Sequence, residues 1–78
     1  MQKPSSNFSV PEIIKDGTRN DTIFKFACMM QAKGVSDQAV YAATKAENEA
    51  KCVPPLSEDE LGKIIKSALM YEKENLFI

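Results

Sequence analysis

Helix-breaking residues divide this 78-residue chain into segments and so limit what it can fold into. Gly17 and Gly34 interrupt it early, and Pro54-Pro55 fixes the backbone where no helix can continue. No segment shows the sustained alternation of a strand, and there is no internal repeat. The chain is short enough for only one small domain. We therefore predict an all-α fold, a compact three-helix bundle with a short N-terminal lead-in turn or helix.

The first helix is predicted to begin at Asn20 or Asp21, either of which can cap it, and to run to about Lys33 before Gly34. Apolar side chains cover most of its circumference, which is typical of a central helix. We expect Phe24 in particular to lie in the core. The apolar residues of this segment are Ile23, Phe24, Phe26, Ala27, Cys28, Met29 and Met30.

Two further helices follow. The second is predicted from the N-cap Ser36 to about Ala50, and its inward stripe is predicted to be made of the small residues Ala39, Val40, Ala43 and Ala46. Ser57 and Glu60 form a capping box that begins the third helix. This helix ends near residues 72–74, and its apolar stripe consists of Leu61, Ile64, Ile65, Ala68 and Leu69.

The ends of the chain differ from its middle. Residues 1–9 resemble a linker with one aromatic residue, Phe8, and residues 10–14 are compatible with either an extended piece or one helical turn. Residues 76–78 form an apolar tail that either caps the bundle or begins a following domain. We therefore divide the chain into a linker (1–9), a helical domain (10–75) and a tail (76–78).

Composition excludes several kinds of function. The chain has no histidine, and Cys28 and Cys52 have neither zinc-ligand spacing nor a base to activate them, so we predict no metal site, no cofactor and no catalytic residue. No apolar run is long enough to span a membrane, and the start of the chain lacks the order of a signal peptide. We expect a cytoplasmic protein with free thiols.

Charge does not indicate a strong nucleic-acid binder, because the net charge is −1. The distribution is uneven, however. Residues 1–34 carry five basic and three acidic side chains, whereas residues 35–78 carry five basic and eight acidic ones. Any contact with nucleic acid is therefore expected to involve the first half of the chain.

The stretch 15–22 leads into the first helix and contains three candidate binding residues, Lys15, Arg19 and Asn20. A fourth candidate, Lys25, lies just after this stretch. A helix N-terminus offers free N–H groups and a partial positive charge, which suit a phosphate. A structural interpretation is equally physical: Arg19 hydrogen-bonds the region of Asn48 or the carbonyls near Pro54, and Asn20 caps the helix. Residue types alone leave both interpretations open.

Tyr41 and Tyr71 are likewise compatible with base stacking or with packing on the bundle surface.

An ordered series of short motifs resembles the primase C-terminal domain family called PriCT-1. The resemblance covers about residues 12–71. It rests on Gly17-x-Arg19-Asn20, Phe24-x-x-Ala27, Lys33-Gly34-Val35-Ser36, Asn48 and Cys52-x-Pro54-Pro55-Leu56-Ser57-x-x-Glu60. PriCT-1 modules are small helical domains that follow the catalytic domain of primases and of phage and plasmid replication proteins, often with a helicase domain after them. The resemblance implies that this chain is a piece of such a protein and assists primer synthesis without performing it.

The resemblance also suggests roles for residues. Gly17, Gly34, Asn48, Pro54, Pro55 and Leu56 are expected to be structural, with Asn48 hydrogen-bonded to loop backbone. The implied partners are single-stranded template DNA or nucleotide, bound weakly, and the primase catalytic and helicase domains of the parent protein. The alternative is a protein-interaction or spacer module between a primase domain and a helicase. A helix-turn-helix regulator is disfavoured, because the third helix is acidic and a Pro-Pro segment replaces the tight turn.

Overall fold

The computed structural model describes the backbone of residues 10–75 and the side chains of residues 10–71. Within that range the chain forms, in order, strand β1 (Ile14–Lys15), helix α1 (Arg19–Ala32), helix α2 (Asp37–Lys51), strand β2 (Cys52–Val53) and helix α3 (Glu58–Asn75). The expectations for the 1–9 linker, for Phe8 and for the 76–78 tail lie outside the described residues. The three predicted helices are present, so the all-α prediction is correct in the main.

The two short strands are an addition to the predicted fold. They pair in parallel, with Ile14 opposite Cys52 and Lys15 opposite Val53. Of the two conformations proposed for the lead-in, the extended one is therefore correct at Ile14. Strands of two residues carry no visible alternation, which is why the sequence pattern did not reveal them. Ile14 and Cys52 are buried, and the pair anchors the lead-in beside the helices.

Helix α1 lies between the other two, in contact with both α2 and α3, as its broad apolar surface predicted. Its start is one or two residues earlier than expected. Thr18, and not Asn20 or Asp21, is the N-cap residue, and its side chain makes no capping hydrogen bond to the helix. The Thr18 hydroxyl instead donates to the Lys15 carbonyl at 2.9 Å, because the preceding turn brings that oxygen within reach. The helix is followed by Gly34, whose φ of +88° favours glycine.

The capping signals of the other two helices are confirmed. The Ser36 hydroxyl accepts from the Ala39 amide at 3.3 Å at the start of α2. At the start of α3, the Glu60 amide donates to the Ser57 hydroxyl at 3.2 Å, and the Ser57 amide donates back to the Glu60 carboxylate at 3.4 Å. These reciprocal bonds satisfy donors that a helix N-terminus otherwise leaves unpaired.

The core consists of two neighbouring clusters. The larger one joins the strands, the loop before α3 and helices α1 and α3, and the smaller one brings all three helices together. The first contains Ile14, Ile23, Cys52, Leu56, Leu61 and Ile65, and the second contains Ala27, Val40 and Ala68. The predicted stripe of α3 is confirmed, with Ile64 and Leu69 at its partly buried edges. Phe24 is half-buried and packs against the smaller cluster, so the expectation that it lies in the core is met only in part. Phe26 is also half-buried.

The predicted inward face of α2 is also wrong in most positions. Ala39 and Ala46 are exposed, and Ala43 is only partly buried. The buried stripe is Val40, Thr44 and Asn48, spaced four residues apart on one face. Asn48 is satisfied there by hydrogen bonds inside the protein, whereas the Thr44 hydroxyl has no partner among the described residues.

Asn48 fixes the loop that leads into α3. Its side-chain amide donates to the Leu56 carbonyl at 3.0 Å, and its side-chain oxygen accepts from the Leu56 amide at 2.8 Å. Leu56 follows Pro54-Pro55 and cannot pair with a strand or helix there, so a side chain supplies both partners. The expected hydrogen bond from Asn48 to loop backbone is therefore present, and it seats Leu56 in the core.

Replacement of Asn48 by Ala is expected to destabilise the fold. It leaves the buried N–H and C=O of Leu56 without partners, which costs about 1–3 kcal/mol for each unsatisfied group. Urea denaturation followed by circular dichroism measures the loss. The exposed Gln38→Ala on the same helix serves as a control and is expected to change the free energy of unfolding by less than about 0.5 kcal/mol. Equal stabilities of the two variants would contradict this role of Asn48.

Replacement of Thr44, in contrast, is expected to stabilise the fold. Its side chain is fully buried, and its hydroxyl has no hydrogen-bond partner among the described residues. Because Val has nearly the same shape and no hydroxyl, Thr44→Val is expected to raise the free energy of unfolding by about 1 kcal/mol. The same urea titration checks this, and a destabilised Val variant would reveal a hydrogen bond of the hydroxyl.

Candidate functional site

The turn between β1 and α1 is flanked by three of the four residues predicted to bind a ligand, Lys15, Arg19 and Asn20. It forms because Gly17 adopts a φ of +98°, a conformation that L side chains rarely take. The Thr18 amide donates to the Lys15 carbonyl at 3.0 Å and closes the turn. Lys15 thus ends one side of the turn, and Arg19 begins α1 on the other.

The Arg19 side chain is directed into the protein. Its Nη1 donates to the Pro54 carbonyl across 35 positions of sequence, and its Nη2 lies 3.2 Å from the Asp16 carboxylate. Only 17% of the side chain is exposed. Of the two interpretations left open by the sequence, these contacts match the structural one, in which Arg19 holds the carbonyls near Pro54. The guanidinium connects the β1–α1 turn to the loop before α3.

The surroundings of Arg19 are unfavourable for a phosphate. A polar pocket of about 190 Å³ is lined there by Asp16, Gly17, Arg19, Asn20 and Glu60. It contains two carboxylates and one guanidinium that already faces one of them. An anion would therefore meet a net negative surface. The acidic side chains of this pocket therefore make it less suited to a phosphate than the site expected at a helix N-terminus.

The other predicted binding residues remain at the surface. Lys15 is exposed and forms no ion pair with any of the side chains at 10–71. Lys25 is exposed and pairs with Asp21 at 3.1 Å, one helical turn away. The Asn20 side chain is exposed and has no hydrogen-bond partner in the described part of the chain. Lys15, Asn20 and Lys25 are therefore exposed, whereas Arg19 is largely buried and already bonded to Pro54 and Asp16.

A groove between α1 and α3 adjoins Asn20. It has a volume of about 470 Å³, and we call it the α1–α3 groove; its lining residues are Asn20, Asp21, Phe24, Lys63, Ile64 and Ser67. The sequence analysis missed this groove because it assigned Phe24 to the core and treated α3 only as an acidic face. The spacing of two residue pairs could have revealed it. Asn20 and Phe24 are four positions apart on α1, and Lys63 and Ser67 are four apart on α3, so each pair shares one helix face.

A comparison with protein families decides what kind of domain this is. Residues 7–74 match the family Primase C terminal 1 (PriCT-1), which is nearly the whole chain. The chain belongs to the PriCT-1 family. No curated protein matches the sequence significantly. No solved structure matches this PriCT-1 chain significantly either.

The buried thiol and the acidic side chains are the groups to consider for nucleophilic or metal chemistry in the described part of this PriCT-1 domain. Cys52 is buried, and burial raises the pKa of its thiol, although the nearby Arg19 opposes the shift. A thiol that stays protonated at neutral pH is a weak nucleophile. Among the described residues, no three cysteine or acidic side chains are grouped closely enough to hold a metal ion. None of the helices at residues 10–75 is long and apolar enough to cross a membrane.

Replacement of Arg19 tests its structural role in this PriCT-1 domain. Arg19→Lys keeps the charge, but a single ammonium cannot reach Pro54 and Asp16 with the same fork of donors. Since hydrogen bonds from charged groups contribute about 1.5–3 kcal/mol, we expect a loss of about 1 kcal/mol or more in unfolding free energy. Thermal and urea denaturation measure it.

The exposed Lys25→Arg on the same helix is the matched control and is expected to be nearly neutral. If Arg19→Lys were as stable as the wild type, the contacts of Arg19 would not be required for the fold.

Proposed function

We propose that this PriCT-1 chain is a non-catalytic accessory module of a DNA primase or replication protein, and that it assists primer synthesis by weak binding of single-stranded template DNA or nucleotide. The observation that carries the proposal is the family match over residues 7–74. Primase-type replication proteins act on single strands and nucleotides, so these are the ligands an accessory domain in them would meet. The proposal includes a cytoplasmic, phage- or plasmid-type parent protein with primase catalytic and helicase domains.

The accessible cations support a weak interaction and argue against a tight one. Lys15 and Lys63 are exposed and have no ion pair within the described side chains, whereas Lys25 shares its charge with Asp21. Affinity for nucleic acid depends largely on how many phosphates are neutralised. With few uncommitted cations and a net charge of −1, the domain alone binds weakly, and its parent protein supplies most of the charge.

Arg19 does not belong to the proposed contact surface, because its guanidinium is engaged by Pro54 and Asp16. The proposed contacts are those of Lys15, Asn20 and Lys25. Because a change at Arg19 would alter the fold and the ligand contact together, Lys15 is the better residue to replace.

An NMR titration of the ¹⁵N-labelled chain with a short oligothymidylate, and separately with ATP, tests the proposal. We expect shifts over residues 15–25 that weaken as salt is raised, since exposed charges are screened. Lys15→Gln is expected to weaken DNA binding. It is also expected to reduce the slope of the log binding constant against log salt concentration by up to about one, the contribution of one phosphate contact.

Lys33→Gln is the matched control. It removes the same charge from an exposed position at the opposite end of α1, about 20 Å along the helix, and is expected to leave binding unchanged. An absence of shifts at millimolar DNA and millimolar ATP would contradict the proposal.

A protein-interaction or spacer module is the second candidate, and one observation favours it. An apolar groove of about 410 Å³ lies between α2 and α3, with the half-exposed side chains of Tyr41 and Met70 among its lining residues. Exposed apolar surface of this kind suits contact with the primase domain of the parent protein. Binding of the isolated chain to that domain, abolished by Met70→Lys and unaffected by Lys15→Gln, would favour this function over DNA binding.

A further inference from the structure

The α1–α3 groove combines an apolar wall with polar groups that have no hydrogen-bond or ion-pair partner among the described residues. Phe24 and Ile64 are half-buried and contribute the apolar part. The Asn20 amide, the Ser67 hydroxyl and the Lys63 ammonium lie around it without hydrogen bonds or ion pairs to the described side chains. The groove has a volume of about 470 Å³ and is largely open to solvent, so it resembles binding sites for small molecules in composition more than in enclosure. Apolar walls with a few convergent polar groups are the usual composition of such sites.

An aromatic pair borders this groove. The rings of Phe24 and Tyr71 lie 5.9 Å apart between centroids and meet at 63°. Because the rings meet at an angle, they form a corner and not a closed stack. Tyr71 is half-exposed, so this corner faces solvent. Flat aromatic ligands find partners on such rings, and bases of single-stranded nucleic acids stack on them whatever their sequence.

Charge in the groove is nearly balanced. The Asp21 carboxylate is paired with Lys25 at 3.1 Å, and Lys63 contributes one uncommitted positive charge on the opposite wall. A surface with so little net charge attracts a phosphate only weakly. The part of a nucleotide that the groove fits best is therefore the uncharged, flat base, with one phosphate beside Lys63.

We propose that the α1–α3 groove holds a base of single-stranded DNA, with the face of the base against Phe24 and Ile64 and its polar edge at Asn20 and Ser67. Asparagine and serine side chains both donate and accept hydrogen bonds, so they match the mixed edge of a base. This proposal rests on the proposed function and adds the contact surface and the main attractive force. Stacking, and not phosphate neutralisation, supplies most of the binding.

Thymidine, which carries no phosphate, separates this proposal from binding by charge alone. In an NMR titration we expect thymidine to shift the amides around Phe24, Ile64 and Ser67 equally at low and moderate salt. Inorganic phosphate is expected to leave those amides unshifted. A short oligothymidylate should shift the same amides and bind more tightly than thymidine, because adjacent nucleotides reach Lys63 and Lys15.

Two variants test the groove itself. Phe24→Leu removes the aromatic face and is expected to weaken thymidine binding about fivefold or more, which is the lower end of the effect of one stacked base. Because Phe24 also packs against the core, a second variant is needed. Ser67→Gln fills the groove from an exposed position and is expected to block binding. Its control, Lys66→Gln, introduces the same side chain at the neighbouring exposed position outside the groove and is expected to change thymidine binding less than twofold.

The outcomes are distinguishable. Thymidine shifts in the groove that disappear in Ser67→Gln would support the base site. DNA shifts that depend on Lys15 but not on Phe24 or Ser67, with no response to thymidine, would overturn the base site and leave the proposed function intact. No response to thymidine, DNA or ATP would overturn both.

Discussion

The two hydrogen bonds between the Asn48 side chain and the Leu56 backbone are the contact on which the rest of this fold depends. They give partners to the N–H and C=O of a buried residue that follows two prolines and lies outside any helix or strand. Leu56 is thereby held in the larger core cluster, one residue before the capping box of α3. The start of α3, and with it the packing of that helix on α1, follows from where Asn48 fixes the loop.

Arg19 holds the same loop at Pro54, two residues before Leu56, and thereby changes the functional interpretation. Its bond to the Pro54 carbonyl and its pairing with Asp16 use the guanidinium that the sequence offers to a phosphate. The accessible groups beside it are Lys15, Asn20 and the α1–α3 groove. In the function proposed above, this PriCT-1 domain contacts nucleic acid through modest charge and exposed aromatic surface, in keeping with its net charge of −1.

The successes and failures of sequence-based prediction have different physical origins. Caps at Ser36 and Ser57 and the stripe of α3 depend on neighbouring residues, so spacing alone predicted them. The prediction for the inward face of α2 was wrong because it assigned apolar alanines to the buried stripe in place of Thr44 and Asn48. The burial of Asn48 depends on the Leu56 backbone reaching its side chain, which the apolar periodicity of α2 does not record. Phe24 was assigned to the core by hydrophobicity, although it lies at the edge of a groove.

The sequence by itself determined the three helices, their approximate ends, the breaks between them and the family, because these depend on local propensities, on turn residues and on an ordered set of motifs. Only the tertiary structure decided that Arg19 faces the Pro54 carbonyl, that two short strands pair in parallel, and that Phe24, Lys63 and Ser67 line one groove. Each of those features joins residues more than 30 positions apart, and such pairings are set by the packing of whole elements and not by the spacing of residues along the chain.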